Sequence, residues 1–275
     1  MTTAAPSFER VEQSGAADPL TEHATPVGFH YLGHSTVLID GPGLRLLTDP
    51  FLRDRLGLLR RHGPVPKPAA MGRIDIVAIS HAHPDHFDRA SLKALRGDPL
   101  VIVPRGMGRT VRRAGLRARE VVVGEKVAIA PRWTITAVPA RHWRWPSALR
   151  AAAVGYLIEG PGQIGIYFAG DTSRFGDLRE LAGRVDLALL PVGTWGPHMT
   201  PGHLSPRSAA QVAGDIGARV AIPIHWGTLY PVGVHRLLGG RLNRPAVRFA
   251  AWSRLLVPQL VVHPLQPGEA TTIRL

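Results

Sequence analysis

The segment Ile79-Ser80-His81-Ala82-His83-Pro84-Asp85-His86 decides most of what this chain can be. Three histidines and an aspartate fall within six residues, directly behind the apolar, β-branched run IDIVAIS (74–80). That run reads as a buried strand. In an extended strand end, His81 and His83 lie two apart and point the same way. Pro84 then turns the chain, so Asp85 and His86 can face a neighbouring point, an arrangement that can serve two metal ions. Uncompensated polar groups at the edge of a core are expensive, and coordination relieves that cost.

The same placement recurs further along. His142 follows TITAVPA, Asp171 follows IGIYFAG, and His225 ends the run VAIPI. Strand ends meet along one edge of a sheet, where loops are held by a rigid scaffold. The seven side chains His81, His83, Asp85, His86, His142, Asp171 and His225 are therefore expected to converge on one spot. The chain has no cysteine, which excludes disulfides, thiolate-held zinc, iron–sulfur clusters and a thiol nucleophile. Any metal must sit on imidazole and carboxylate, a set that suits Zn2+ first, with Mn2+ or Fe2+ as alternatives.

With 275 residues, 45% of them hydrophobic, the chain can build a substantial core. Residues 1–26 read as a flexible tail and 27–275 as one domain. The run 28–40 and GLRLLTDP read as two adjacent strands around the turn Gly41-Pro42-Gly43, and residues 51–70 as a surface loop or short helix. Further apolar strands then alternate with short helices, among them one capped by Asp88, one over FGDLRELAGR and one running from Ser205 to Gly217. Two sheets with helices outside them would bury both sets of strands. No apolar run approaches the roughly 18 residues of a membrane span. The N-terminus lacks the basic head and apolar core of a signal peptide, so a cytoplasmic location is expected. The net charge of +13 is spread along the chain rather than packed into one run.

HAHPDH, followed by His142, by Asp171 in AGDTS and by His225 in IHWGT, resembles the metallo-β-lactamase superfamily. YLGHSTVLIDGPGLRLLTDPF and LLPVGTW are similar to the branch holding N-acyl-phosphatidylethanolamine phospholipase D and ascorbate-6-phosphate lactonase. The likeness covers residues 28–230. It implies an α+β fold, an αββα sandwich of two mixed sheets with helices on the outer faces. It also implies a dinuclear centre: His81, His83 and His142 on the first metal, Asp85, His86 and His225 on the second, Asp171 bridging. Two metals roughly 3.5–4 Å apart can share a water and present hydroxide to an electrophile. No protein nucleophile is required, and the chain has no G-x-S-x-G elbow.

Asp49, in LLTDP, resembles a family position that orients a metal-bound histidine, although a turn-forming aspartate before Pro50 reads the same way. His203, in TPGHLSP, matches a histidine near the metals, suited to binding substrate or protonating the leaving group. With Asp85 it makes the pair of candidate catalytic residues. His34, in GHST, reads as a satisfied strand-end histidine, and His198 as surface.

Three segments are expected around the mouth. FLRDRLGLLRRHG carries Leu52, Leu56, Leu58 and Leu59 among Arg53, Arg55, Arg60 and Arg61. RHWRWPSALR brings Trp143, Arg144, Trp145 and Arg150, and GTLYPVGVHRLLGGR follows His225. Apolar side chains mixed with arginine suit a small or lipid-like substrate with an acidic group, and peripheral contact with a membrane. Nucleic acid is not expected, because aromatics are few (6%) and form no base-stacking array. Hydrolysis of a phosphodiester leads the functions left open. A lactonase-like hydrolysis of a small metabolite, a nuclease and a non-catalytic metal-binding scaffold stand behind it.

Overall fold

A computed structural model describes residues 25–142, 151–194, 201–233 and 243–275. Trp143, Arg144, Trp145, Arg150 and His198 lie outside these residues, as do residues 1–24. The chain opens with β1 (Pro26–Gly33), β2 (Thr36–Gly41) and β3 (Leu44–Thr48), then β4 (Arg55–Leu56) and β5 (Leu59–Arg61). β6 (Ile76–Ala78), α1 (Arg89–Ala94), β7 (Leu100–Pro104), α2 (Gly108–Arg113) and β8 (Arg117–Val121) follow. Next come β9 (Lys126–Ala130), β10 (Trp133–Pro139), β11 (Val154–Glu159), β12 (Gly165–Phe168) and β13 (Leu187–Pro191). The chain closes through α3 (Pro206–Asp215), β14 (Val220–Ile224), β15 (Leu229–Pro231), α4 (Arg244–Leu256), β16 (Val261–Val262) and β17 (Ala270–Arg274).

Two seven-stranded sheets result, ordered β17-β1-β2-β3-β6-β7-β8 and β16-β14-β13-β12-β11-β10-β9. Each has an antiparallel half and a parallel half. In the first, β17, β1, β2 and β3 pair antiparallel while β3, β6, β7 and β8 pair parallel. In the second, β9 to β12 pair antiparallel while β12, β13, β14 and β16 pair parallel. This direction pattern is what gathers the site. β1, two antiparallel steps from β3, runs the same way as β3 and β6, so their carboxyl ends share one edge. By the same count β10 runs with β12, β13 and β14. His34, Asp49, His81, His142, Asp171 and His225 all follow such ends.

Alternation along the strands explains the layering. Leu46, Ile76, Ala78 and Ile102 join the main apolar core with the strands of the second sheet. Their neighbours Leu47, Val77, Val101 and Val103 turn the other way, onto Leu92 of α1 and Val111 of α2. On the far side, Ala209, Ala210, Val212 and Ala213 of α3 and Phe249 of α4 pack into the main core. Helices thus cover the outer faces of both sheets, an αββα sandwich. Buried on both faces, the central strands read as unbroken apolar runs.

Three local readings of the sequence need correction. The run 28–40 is two strands, split by a turn in which Gly33 and His34 both take positive φ (103° and 58°). The segment 51–70 is more than a loop with a short helix at Pro68–Met71: within it β4 and β5 form a hairpin that pairs with β15 in a third, three-stranded sheet. Arg61 in that hairpin is buried (4% exposed), its guanidinium donating to the carbonyls of Leu32, Phe51 and Arg53. FGDLRELAGR is helical, but as a 3-10 turn over Gly176–Leu181. Among the described residues, no helix is long and apolar enough to cross a membrane.

One glycine permits the sheets to meet at the site. Gly170, at φ 58°, sits so close to the other sheet that a Cβ there would lie 2.4 Å from the Ser80 Cβ. Gly170→Ala combines that clash with a left-handed backbone. It is expected to lower unfolding stability by about 2–3 kcal/mol in urea denaturation, with a shift in midpoint and little change in slope.

Candidate metal centre

The HAHPDH segment is pinned before its side chains are considered. Tyr156 Oη donates to the Ile79 carbonyl (2.8 Å) and Val154 N to that of Ser80 (3.0 Å), both from the second sheet. After Pro84 the chain closes tightly, with His86 N and Phe87 N donating to His83 O (3.0 and 2.8 Å). Asp88 then caps α1 by accepting from Ser91 N (2.9 Å). The reciprocal lacing runs from the first sheet: Tyr31 Oη donates to Trp226 O (3.1 Å), just past His225.

So held, the expected side chains form two adjoining clusters. His83 Nδ1 lies 2.9 Å from His81 Nε2 and 3.0 Å from His142 Nε2. Beside them, His86 Nε2 lies 3.3 Å from His225 Nε2 and 3.4 Å from Asp85 Oδ2. Asp171 stands between, its Oδ2 at 3.2 Å from His86 Nε2, 3.3 Å from His225 Nε2 and 3.9 Å from His81 Nε2. Both clusters, and a third of His142, Asp171 and His203, have the composition and spacing to hold a cation. His203 Nε2 is 3.2 Å from Asp171 Oδ2.

Outer hydrogen bonds set the state of the inner nitrogens. His142 Nδ1 faces the Gly202 carbonyl and His225 Nδ1 the Gly193 carbonyl, each at 2.9 Å. A carbonyl only accepts, so both Nδ1 atoms carry the proton. His86 Nδ1 donates to Asp49 Oδ2 at 2.6 Å. Ser80 Oγ also donates to Asp49 Oδ2 (2.5 Å), and so accepts from His81 Nδ1 (2.9 Å). Four imidazoles thereby turn Nε2 inward, the atom each would offer to a metal.

Electrostatics favour the neutral imidazole for His81, His83 and His142, and a positive charge at His86. Asp49, Asp85 and Asp171 are 0–2% exposed. Burial pulls His83 down to about 4 and His34 to about 3, with neighbouring imidazoles adding to the effect, and it also lowers His81 and His142. His86 moves the other way: burial opposes protonation, but Asp171, Asp85 and Asp49 together outweigh it. For Asp85 and Asp171 burial is likewise outweighed, here by the histidines around them, and both fall well below the usual carboxylate range. The pocket calls for positive charge, and Asp171 Oδ1 is buried with no hydrogen-bond partner among the described residues. The donor set fits divalent cations.

Sequence reading overlooked part of this surround. His34 is buried and satisfied, as expected of a strand-end histidine, but its partner is Asp85, with Nε2 2.7 Å from Oδ2. Ser80 and the carbonyls of Gly193 and Gly202 carry no composition signal at all. His34 had one, the same position behind a strand as the other histidines.

A family model described as a beta-lactamase superfamily domain matches residues 44–226. The chain is 31% identical to a UPF0173 metal-dependent hydrolase of Deinococcus radiodurans, over 88% of this chain and 97% of that protein. It is 33% identical to the mitochondrial N-acyl-phosphatidylethanolamine-hydrolyzing phospholipase D of Saccharomyces cerevisiae over 77% of this chain. The chain spans half the length of that yeast protein and 64% of the mycobacterial relatives it matches. Among solved structures, Igni18, a metallo hydrolase from Ignicoccus hospitalis, superimposes with a TM-score of 0.71 at 21% identity, covering 91% of this chain and 100% of that one. With two mixed sheets, a histidine–aspartate cluster at their shared edge and this match across residues 44–226, the chain belongs to the metallo-β-lactamase superfamily.

Proposed function

We propose that the chain is a metal-dependent hydrolase with a dinuclear centre, acting on a phosphodiester of phospholipid type. One observation carries this reading: the outward hydrogen bonds of His81, His86, His142 and His225, which turn four Nε2 atoms inward around buried Asp85 and Asp171. His81, His83 and His142 would hold one cation, Asp85, His86 and His225 the other, and Asp171 both. Imidazole and carboxylate favour Zn2+, with Mn2+ or Fe2+ as substitutes. Bound there, the cations would supply Lewis acidity, lowering the pKa of water and offsetting charge at the attacked phosphorus.

The protein's own groups have separate tasks in this reading. Asp49 and the Gly193 and Gly202 carbonyls orient the ligand imidazoles. Asp85, kept ionised by the histidines around it, serves as a ligand of the second cation. His203, with 15% of its side chain exposed and its Nε2 beside Asp171, gives the departing oxygen its proton. The phospholipid assignment draws on the names of the yeast and Caenorhabditis elegans relatives, both N-acyl-phosphatidylethanolamine-hydrolyzing phospholipases D. It also draws on the small third sheet. There Leu58 is 83% exposed and Val232 53%, joined by a bond from Val232 N to Leu58 O, with Arg55 and Arg60 beside them. Aliphatic tips among arginines suit shallow contact with an anionic lipid surface from the cytoplasmic side.

Mass spectrometry of protein purified without added metal is expected to find about two transition-metal equivalents per chain, falling in His83→Ala. No uptake even after reconstitution would sink the reading. With bis-p-nitrophenyl phosphate, His203→Ala should lose about 10²–10⁴-fold in kcat while keeping its metal; unchanged kinetics would remove His203 from the reaction. Leu58→Asp should weaken sedimentation with phosphatidylglycerol vesicles about tenfold and leave turnover of the soluble ester alone.

A further inference from the structure

We infer that His34 is a positioning residue for the second cluster, donating its Nε2–H to Asp85 and so aiming that carboxylate at the cation that Asp85, His86 and His225 would share. The inference rests on the dinuclear reading above and adds a residue to it. His34 is 2% exposed, and its Nε2 lies 2.7 Å from Asp85 Oδ2, the oxygen that also faces His86 and His225. Its ring lies against that of His225, with centroids 4.0 Å apart.

The backbone of His34 points to the same cluster. It takes the left-handed conformation (φ 58°), which a histidine adopts only where its surroundings impose it. Those surroundings are specific: His34 N donates to Thr228 Oγ1 (2.7 Å), and His34 O accepts from His225 N (2.7 Å). One residue thus fixes Asp85 through its ring and His225 through its carbonyl. Gly33 before it, at φ 103°, leaves room for this approach, since a Cβ there would lie 2.8 Å from Arg61 Nη1 and 3.0 Å from the Thr228 side chain. Three of the positive-φ residues other than glycine, His34, Asp49 and His225, surround this one cluster. A ligand carboxylate is usually held by a hydrogen bond of this kind, and losing the donor weakens metal binding.

The consequence is selective: His34 should govern the second cation and leave the first alone. Metal-free protein titrated with Zn2+ in a calorimeter tests this. Wild type is expected to take two equivalents. In His34→Ala the first should bind as in wild type and the second about 10–100-fold more weakly. His34→Gln, whose amide can still donate, should recover most of the difference. Equal affinities in wild type and His34→Ala would overturn the inference while leaving the dinuclear reading standing. So would equal weakening of both equivalents, which marks a purely structural role. Loss of the second equivalent in both variants would make His34 a ligand rather than a donor and overturn it too. Should His34→Ala not fold, Thr228→Ala removes the acceptor of His34 N and keeps the ring. It should weaken the second equivalent alone, and an unchanged second equivalent would count against the proposal. Wild type that binds no Zn2+ would sink the dinuclear reading and this inference with it.

Discussion

A single buried carboxylate ties the site to the scaffold. Asp49 accepts Ser80 N at 2.7 Å through one oxygen, and Ser80 Oγ and His86 Nδ1 through the other. Its own backbone donates to Ala78 O (3.0 Å) and accepts from Thr36 Oγ1 (2.9 Å). One residue, through its side chain and its backbone, therefore joins the ends of β3 and β6, the start of β2 and the turn that carries His86. Burial raises its pKa and the donors from His86 and Ser80 oppose that rise, so the carboxylate depends on its partners. Removing His86 would break a buried pair, which typically costs about 3–5 kcal/mol. The geometry of the histidine segment follows from that dependence: His81 through Ser80, and His86 directly, can turn only one nitrogen inward.

The two sheets supply the remaining constraint by crossing over. Tyr156 of the second sheet holds the backbone ahead of His81, and Tyr31 of the first holds the backbone behind His225. Each loop is braced from the opposite layer, so neither can shift without disturbing the packing between sheets. Close-packed interiors move little, and a site braced this way has its donors oriented in advance. Short segments can then bring side chains from six strand ends together.

How much of this was legible depended on what each residue type signals. Strands buried on both faces, such as LVIVP and VDLALLP, announce themselves as apolar runs, and the ligand side chains are conspicuous behind them. The split at Gly33–Ser35 was hidden because GHST continues the β-like composition on either side. β4 and β5 are two and three residues long with arginine at half their positions or more, leaving no alternation to read. β17 closes the first sheet against β1, yet its ATTIR carries one buried residue and looks like tail. His34 shows the deeper difficulty. Its position behind a strand was visible, but its meaning lies in a partner 51 residues away, and only the assembled sheet supplies that.

The two clusters differ in their relation to solvent, and that difference gives the site a direction. Asp85, His86 and His225 are sealed at 0–1% exposure, backed by His34 and Asp49. His83, His142 and His203 are only partly buried. A molecule entering from solvent therefore meets the His83, His142 and His203 side first, with Asp171 facing both halves. The strand ends fix what chemistry the pocket can support, and the rim decides which molecules reach it. The sealed half behaves like core, sensitive to any change in packing, whereas the open half can vary with the loops that border it.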